Sequence, residues 1–224
     1  MDIIIESVIT CALVLLGFVG IFFYFAKEKN EKLEMKSILP LGKNKILYLC
    51  ITFVLMTALI VFFNTLSKTD GLLHNLNLLV LVACIFPMAA VDFKTNKIPN
   101  LFLLAALVFR VCLLVAEFVK SRSAALLILK DNVLGALIIG AFFLLIFFIF
   151  KNSIGMGDIK LFTLLGLYLG FTGVINAVFF SLLVSLVLSI GLLISGKKKR
   201  KDAISFAPSI LLGTIISIVL TGIQ

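Results

Sequence analysis

Residues 159–195 read IKLFTLLGLYLGFTGVINAVFFSLLVSLVLSIGLLIS, the longest apolar run in the chain. As one straight helix this run would measure roughly 55 Å at 1.5 Å per residue, well beyond the roughly 30 Å of a bilayer's hydrocarbon core. The chain is therefore expected to fold back within the run. Gly170 and Gly173 mark the predicted hairpin, because glycine adopts backbone conformations that are closed to other residues.

The rest of the sequence also divides into apolar blocks separated by short polar connectors. Hydrophobic residues make up 62% of the 224 residues and the mean hydropathy is +1.25, above the roughly 45–50% apolar content of soluble domains. With the folded run counted as two spans, we predict an all-α, polytopic transmembrane helical bundle of about eight spans in contact with membrane lipid. The predicted blocks are 3–26, 46–66, 76–92, 98–119, 132–150, 159–195 and 203–222.

The hairpin leaves a short first half, 159–170, of roughly 18 Å. We expect the segment from about Asn152 to be drawn into the membrane with it, which brings the length to roughly 28 Å. Asp158 would then lie within the depth of the bilayer. At the other end of the chain, block 3–26 is interpreted as a retained span and not as a removable signal peptide.

Basic residues predict the orientation of the chain. The net charge is +9, but nearly all of the 20 Lys and Arg lie in connectors, which indicates membrane topology and not nucleic-acid binding. Alternate connectors hold fifteen basic residues on one side and four on the other, with Arg110 inside a span. The basic-rich side should face the cytoplasm of a cell membrane, which puts both termini outside and Asp92 and Asp158 at the cytoplasmic face.

Cysteine and histidine do not indicate a metal site. Cys11, Cys50, Cys84 and Cys112 fall singly in apolar blocks, which favours small buried residues over a metal cluster or a disulfide framework. The single histidine, His74, is interpreted as a solvated loop residue. We therefore predict no metal, no cofactor and no nucleic-acid partner.

Asp92 closes the third block in AAVDFKTNKIPN, residues 89–100. The connector that follows contains Pro99, which suits the first turn of the next helix. One interpretation of Asp92 is an interfacial acid that Lys94 and Lys97 offset. The other is a functional acid at the membrane boundary.

Asp158 lies in NSIGMGDIK, residues 152–160. Glycine permits the close approach of another backbone, so Gly155 and Gly157 would let an extended substrate segment lie beside the carboxylate. The alternative is that Asp158 is the N-cap of the helix that follows, a position that aspartate favours.

The pair of aspartates is more informative than either member. Ionisable groups at membrane depth are costly and usually functional, and Asp92 and Asp158 are predicted at the same face. Two carboxyl groups held together cannot both ionise easily and share a proton. One can then activate water while the other protonates a scissile carbonyl.

At these residues the chain resembles the type IV prepilin peptidases, membrane aspartyl proteases of the G-x-G-D type that are related to archaeal preflagellin peptidases and more distantly to presenilin. Asp92, in DFKTNKIPN, matches the family's first catalytic aspartate, and Asp158, in GMGDIK, matches the second. A weaker similarity is Phe206-Ala-Pro208 with Gly213, in the last span. The resemblance covers roughly residues 76–222.

This resemblance implies an endopeptidase that removes the short basic leader from prepilin or pseudopilin substrates on the cytoplasmic side. Asp92 and Asp158 would be catalytic, with base and acid unassigned because a coupled pair titrates as a unit. Lys160 would hold the field of the dyad, meet an acidic residue of the substrate, or snorkel. The residues expected to bind substrate or support the dyad are Gly155, Gly157, Lys160, Pro99 and Asn100.

Residues 1–70 are predicted to form an N-terminal two-span region with a basic loop, and residues 71–224 a six-span catalytic domain. Larger bacterial members of the family carry two Cys-x-x-Cys pairs in that loop, associated with zinc and with methylation of the new N-terminus. Here loop 27–45 has no cysteine, so we predict peptidase activity without methyl transfer. Two other classes stay open: an ion- or proton-coupled transporter, and a non-catalytic pilus or secretion assembly protein.

Overall fold

A computed structural model describes residues 2–28, 54–55, 57–58, 60–61, 71–150, 154–195 and 205–221. This part of the chain is helical and contains no strand, which confirms the all-α class. Its helices are α1 (Asp2–Glu28), α2 (Leu72–Thr95), α3 (Asn100–Lys120), α4 (Arg122–Ile149), α5 (Met156–Ile194) and α6 (Ala207–Thr221).

Helices α2 to α5 are each long and apolar enough to cross a membrane, so the chain is a multi-pass membrane protein. Shorter apolar stretches lie in α1, at Ile5–Ile21, and in α6, at Ala207–Leu220. The predicted total of eight spans is not confirmed, and most of the predicted span 46–66 lies outside the described residues. Residue 152, expected to enter the membrane ahead of Asp158, also lies outside them.

Helix α5 is broken at Gly170, where φ is 70° and ψ is −174°. The break lies where the sequence predicts a turn, whereas Gly173 is helical. We call residues 156–169 the first arm of α5 and residues 171–194 its second arm. Asp131 accepts a hydrogen bond from the Phe171 N–H (3.2 Å), which satisfies one of the amides left without a helical partner at the start of the second arm.

The two arms fold back on each other. Phe206 and Ile210 are one helical turn apart, joined by a backbone hydrogen bond. The Phe206 ring packs against Phe162 on the first arm, at 5.6 Å between centroids, and the Ile210 carbonyl lies 3.5 Å from the Ser181 hydroxyl on the second. Since a straight helix would hold residues 162 and 181 about 28 Å apart, the chain must reverse at Gly170.

The first arm packs closely against α4. A Cβ added to Gly166 would lie 2.6 Å from Ala136 Cα, and one added to Gly140 would lie 2.9 Å from the Thr163 hydroxyl oxygen. Small residues allow membrane helices this approach. Gly213 of α6 likewise lies against the backbone of Ser181 on the second arm.

The first arm is also fixed to α3. The Tyr168 hydroxyl donates to the Ala106 carbonyl (2.6 Å), and Arg110 Nε donates to the Leu167 carbonyl (2.8 Å). Arg110 is 1% exposed and forms an ion pair with Glu117 (3.1 Å). The guanidinium therefore binds the C-terminal end of the first arm, where helix carbonyls lack partners and the dipole is negative.

The chain divides into two compact units, residues 1–87 and 88–224. In the first unit, Glu6 is 1% exposed and accepts a hydrogen bond from the Asn75 side-chain amide (3.2 Å). The division into 1–70 and 71–224 that the sequence suggests stays a prediction, since most of residues 29–70 lie outside the described ranges.

Two predicted connectors are wrong. Connector 120–131 reduces to Ser121, because residues 122–131 form the first turns of α4. His74, predicted in a loop, lies in the first turn of α2, although it is exposed as expected. The charged and polar residues of these segments lower the hydropathy without interrupting the helix.

The cysteines divide between two environments. Cys84 is buried, as predicted, whereas Cys11 and Cys112 are exposed. Cys50 lies outside the described residues. The exposed apolar side of a membrane helix meets lipid, so an apolar block does not by itself imply burial within the protein.

Candidate active site

Asp92 lies in the last full turn of α2 and is 5% exposed. The helix stops one turn later because Asn96 adopts a left-handed φ of 50°, which asparagine tolerates better than most residues. The Asn96 N–H then donates to the Asp92 carbonyl (2.8 Å), a common way to close a helix end. The backbone of Asp92 is thus fixed by the termination of its own helix.

The Asp92 carboxylate is bound by the start of α6. Its Oδ2 accepts a hydrogen bond from the Ala207 N–H (3.0 Å), and the Phe206 N–H also donates to the carboxylate. Amides at a helix N-terminus have no helical partner and bind anions well. The sequence drew attention to Phe206-Ala-Pro208 without showing this role, although a proline at a helix start does indicate that free amides lie beside it.

Asp158 is the third residue of α5, one turn beyond the N-cap, Gly155. The interpretation of Asp158 as the N-cap is therefore wrong. Its half-buried side chain turns back so that Oδ2 would lie 2.9 Å from a Cβ on Gly155, and the Gly155 N–H donates to the carboxylate. An acid at this position that reaches back to the N-cap amide is one half of a capping box.

The structure brings the two aspartates together. Asp92 and Asp158 come from segments far apart in sequence, yet their carboxyl groups are close enough to interact electrostatically. The loop after α2 packs on the turn before Asp158, since a Cβ on Gly157 would lie 3.1 Å from Ile98 Cβ. Sequence reasoning missed Ile98, whose apolar side chain gives no chemical signal.

The remaining predicted site residues lie at the same junction. Lys160 is exposed, and its ammonium donates to the Asn100 side-chain carbonyl (3.0 Å). Pro99 is the N-cap of α3 and immediately precedes its first turn. The predicted set therefore gathers where the α2–α3 loop meets the start of α5.

An aromatic cluster lies beside this junction. Phe162 is fully buried and follows Asp158 by one helical turn. Its ring stacks on Phe143, at 4.5 Å between centroids, and meets Phe206 edge-on. These rings give the site an apolar wall. Within the ranges that the structure covers, no three His, Cys, Asp or Glu residues are grouped to hold a metal ion.

Comparison with known proteins identifies the part of the chain that carries the two aspartates. Residues 79–190 match the type IV leader peptidase family, and both aspartates lie inside that match. The chain belongs to the type IV leader peptidase family. This confirms the resemblance seen in the sequence.

A curated relative in this family is the prepilin leader peptidase/N-methyltransferase of Bacillus subtilis strain 168. The two sequences are 28% identical over 138 residues, which cover 62% of this chain and 53% of the relative. The chain thus spans about half the length of that leader peptidase. No solved structure gives a significant match.

Proposed function

We propose that this protein is a membrane aspartyl endopeptidase that removes the basic leader from prepilin or pseudopilin proteins. The observation that carries the proposal is the electrostatic proximity of Asp92 and Asp158, two carboxyl groups within the family match. The comparisons give no support to a transporter or to a non-catalytic assembly protein.

The reaction needs one proton on the pair of carboxyl groups. The ionised carboxylate takes a proton from water as the water oxygen bonds to the scissile carbonyl carbon. The protonated partner gives its proton to the carbonyl oxygen, which yields a tetrahedral diol. When the carbon–nitrogen bond breaks, the leaving amine takes a proton from the carboxyl group that accepted one. A diol hydroxyl returns its proton to the other carboxylate as the carbonyl re-forms, so the pair again holds one proton. The products are a leader with a new carboxylate and a mature chain with a free amine.

The residues around the pair support this chemistry. Backbone N–H groups of Ala207 and Gly155 orient the two carboxylates, and preorganised donors cost no rearrangement during the reaction. Gly155 is exposed beside Asp158, which leaves room for the backbone of an extended substrate segment.

We further propose that the site faces the cytoplasm from a cell membrane. Fifteen basic residues in one set of connectors against four in the other support this orientation. Lys120 and Arg122 remain on either side of Ser121 at the basic-poor end, although the connector there is shorter than expected. Methyl transfer is not part of the proposal, because loop 27–45 has no cysteine.

Co-expression with a candidate prepilin tests the function. The substrate should carry a short basic leader followed by a hydrophobic stretch, and leader removal is measured as a gel shift. Asp92→Asn and Asp158→Asn should each lower the cleavage rate by about a hundred- to ten-thousandfold, the scale of general acid–base catalysis. Asp131→Asn is the matched control, because asparagine can still accept the Phe171 N–H.

Cleavage that survives either substitution in the pair would reject the dyad. Failure of the wild type to cut any prepilin-like substrate would reject the function. The same reaction with labelled S-adenosylmethionine should leave the new N-terminus unlabelled, and label there would show that methyl transfer does not require the cysteine loop.

A further inference from the structure

Two contacts beside the dyad join the segment that follows Asp92 to the segment that carries Asp158. Ile98 packs on Gly157, and Lys160 donates to Asn100 (3.0 Å). We propose that Lys160 and Asn100 are a positioning pair that sets the separation of the two carboxyl groups. This inference rests on the proposed peptidase function, and it assigns to Lys160 a partner within the protein in place of an acidic residue of the substrate.

The direction of the Lys160 side chain supports this assignment. Residues two apart on a helix do not face each other, so Lys160 projects from a different side of α5 than Asp158. Among the described residues, its hydrogen-bond partner is Asn100. The ammonium is therefore directed at the start of α3.

Asn100 is in turn linked to Asp92 by a short, internally bonded loop. Asn96 closes the end of α2 on the Asp92 carbonyl, and the Thr95 hydroxyl lies 3.3 Å from the Lys97 carbonyl. Pro99 then restricts the backbone as the N-cap of α3. A shift of Asn100 is transmitted to Asp92 because these hydrogen bonds and Pro99 restrict the backbone of the loop between them.

The Ile98 contact explains why the hydrogen bond matters. A Cβ on Gly157 would lie 3.1 Å from Ile98 Cβ, so the two segments already touch at this point. Tyr168 and Arg110 fix the far end of the first arm to α3, whereas at the end beside Asp158 the hydrogen bond of Lys160 to Asn100 adds to the Ile98 contact and limits movement there. A misplacement of about 1 Å at a reacting centre costs roughly a hundredfold in rate.

The test is a mutant cycle on leader cleavage by the full chain in membranes. The variants are Asn100→Ala, Lys160→Ala, the double alanine variant, and a swap that combines Asn100→Lys with Lys160→Asn. Each alanine variant should lower kcat by about ten- to a hundredfold with KM unchanged, since geometry and not binding is altered. The double variant should match the single ones, and the swap, which can rebuild the bond in reverse, should recover most of kcat.

Two substrates distinguish a positioning role of Lys160 from direct binding of an acidic residue of the substrate. One prepilin peptide keeps the acidic residues near its cleavage site, and the other has them replaced by amides. A positioning pair gives the same loss with both. A rise in KM that disappears with the neutral peptide would instead assign Lys160 to the substrate, and multiplied losses in the double variant would show that the two residues do not act together.

Cross-linking provides a readout that needs no activity. In a cysteine-free background, Asp92→Cys and Asp158→Cys are joined by a short bismaleimide. Adding Asn100→Ala to this two-cysteine protein should slow cross-linking, and adding the swap should restore the rate. Equal cross-linking rates in the two-cysteine protein, the alanine variant and the swap would overturn the proposal. A wild type that cuts no prepilin would reject the proposed function, while the cross-linking rates would still decide the positioning role.

Discussion

The two carboxyl groups of the candidate dyad are held in different ways. Asp92 is 5% exposed and bound by the Ala207 amide from another helix. Asp158 is half-buried and bound within its own turn, by Gly155. Paired carboxyl groups take different roles in catalysis when their surroundings differ, and here the position of Asp158 depends on one glycine that lacks a side chain.

Gly155→Ala should impair catalysis without unfolding the protein. The backbone of Gly155, with φ −68° and ψ 137°, suits alanine, but the added methyl would lie 2.9 Å from Asp158 Oδ2. The carboxylate must rotate, so the initial rate of leader cleavage should fall by about ten- to a hundredfold. Gly191→Ala, where a Cβ meets nothing within 4 Å, is the control, and equal rates in the two variants would contradict the observed orientation of Asp158.

The sequence singled out the two aspartates of the candidate site but not the groups that orient them. Asp92 and Asp158 are the residues proposed to carry the chemistry, and the motifs around them are recognisable. The Ala207 amide is a backbone group, and the contact of Ile98 with Gly157 depends on packing. Neither leaves a side-chain signature, because both arise from segments that meet only after folding.

The length of a helix is easier to predict from the sequence than the residues at which the helix begins and ends. The break in α5 follows from comparing the run with the thickness of a bilayer, and Gly170 provides it. The helix α4 begins at Arg122 and not at the predicted residue 132, because Arg122, Lys130 and Asp131 lower the hydropathy of its first turns. Charged residues are acceptable helix formers at the end of a span, so hydropathy cannot locate where a helix begins.

Removal of Arg110 should destabilise the contact between α3 and the first arm. In Arg110→Leu, Glu117 is left as a charge without its partner and the Leu167 carbonyl loses its donor. Breaking a buried pair in this way typically costs about 3–5 kcal/mol. Thermal unfolding in lipid nanodiscs should show the loss.

The matched control is Arg110→Leu combined with Glu117→Leu. With both charges replaced by apolar side chains, no unpaired charge remains, and such replacements are often neutral or stabilising. The double variant should therefore unfold closer to the wild type than the single variant does. If both unfold at the same low temperature, the arginine stabilises the fold through Leu167 or Tyr168 and not through the ion pair.

The orientation proposed for the chain in the membrane follows from its charge distribution. The basic-rich connectors include residues 93–97, and the basic-poor ones include Ser121. Both Lys97 and Ser121 are exposed and lie outside helices, which makes them suitable for labelling.

In a cysteine-free background, a membrane-impermeant maleimide should label Ser121→Cys in intact cells. Lys97→Cys should react only after the membrane is made permeable, because fifteen basic residues against four predict that this side faces the cytoplasm. The loss of one lysine leaves this asymmetry in place. The opposite labelling pattern would put the dyad on the outer side and remove the basis for a cytoplasmic reaction.

The break at Gly170 also bears on how water reaches the reaction. The first arm ends there, so residues 156–169 form a wall of only about 21 Å, against roughly 30 Å of hydrocarbon. A bilayer beside so short a segment thins locally or is deformed around it. Each peptide bond cut consumes one water molecule, which lipid excludes. By shortening the wall next to Asp158, a single glycine turn would thus bring the hydrated surface toward the aspartates and supply the proposed peptidase with water, its second substrate.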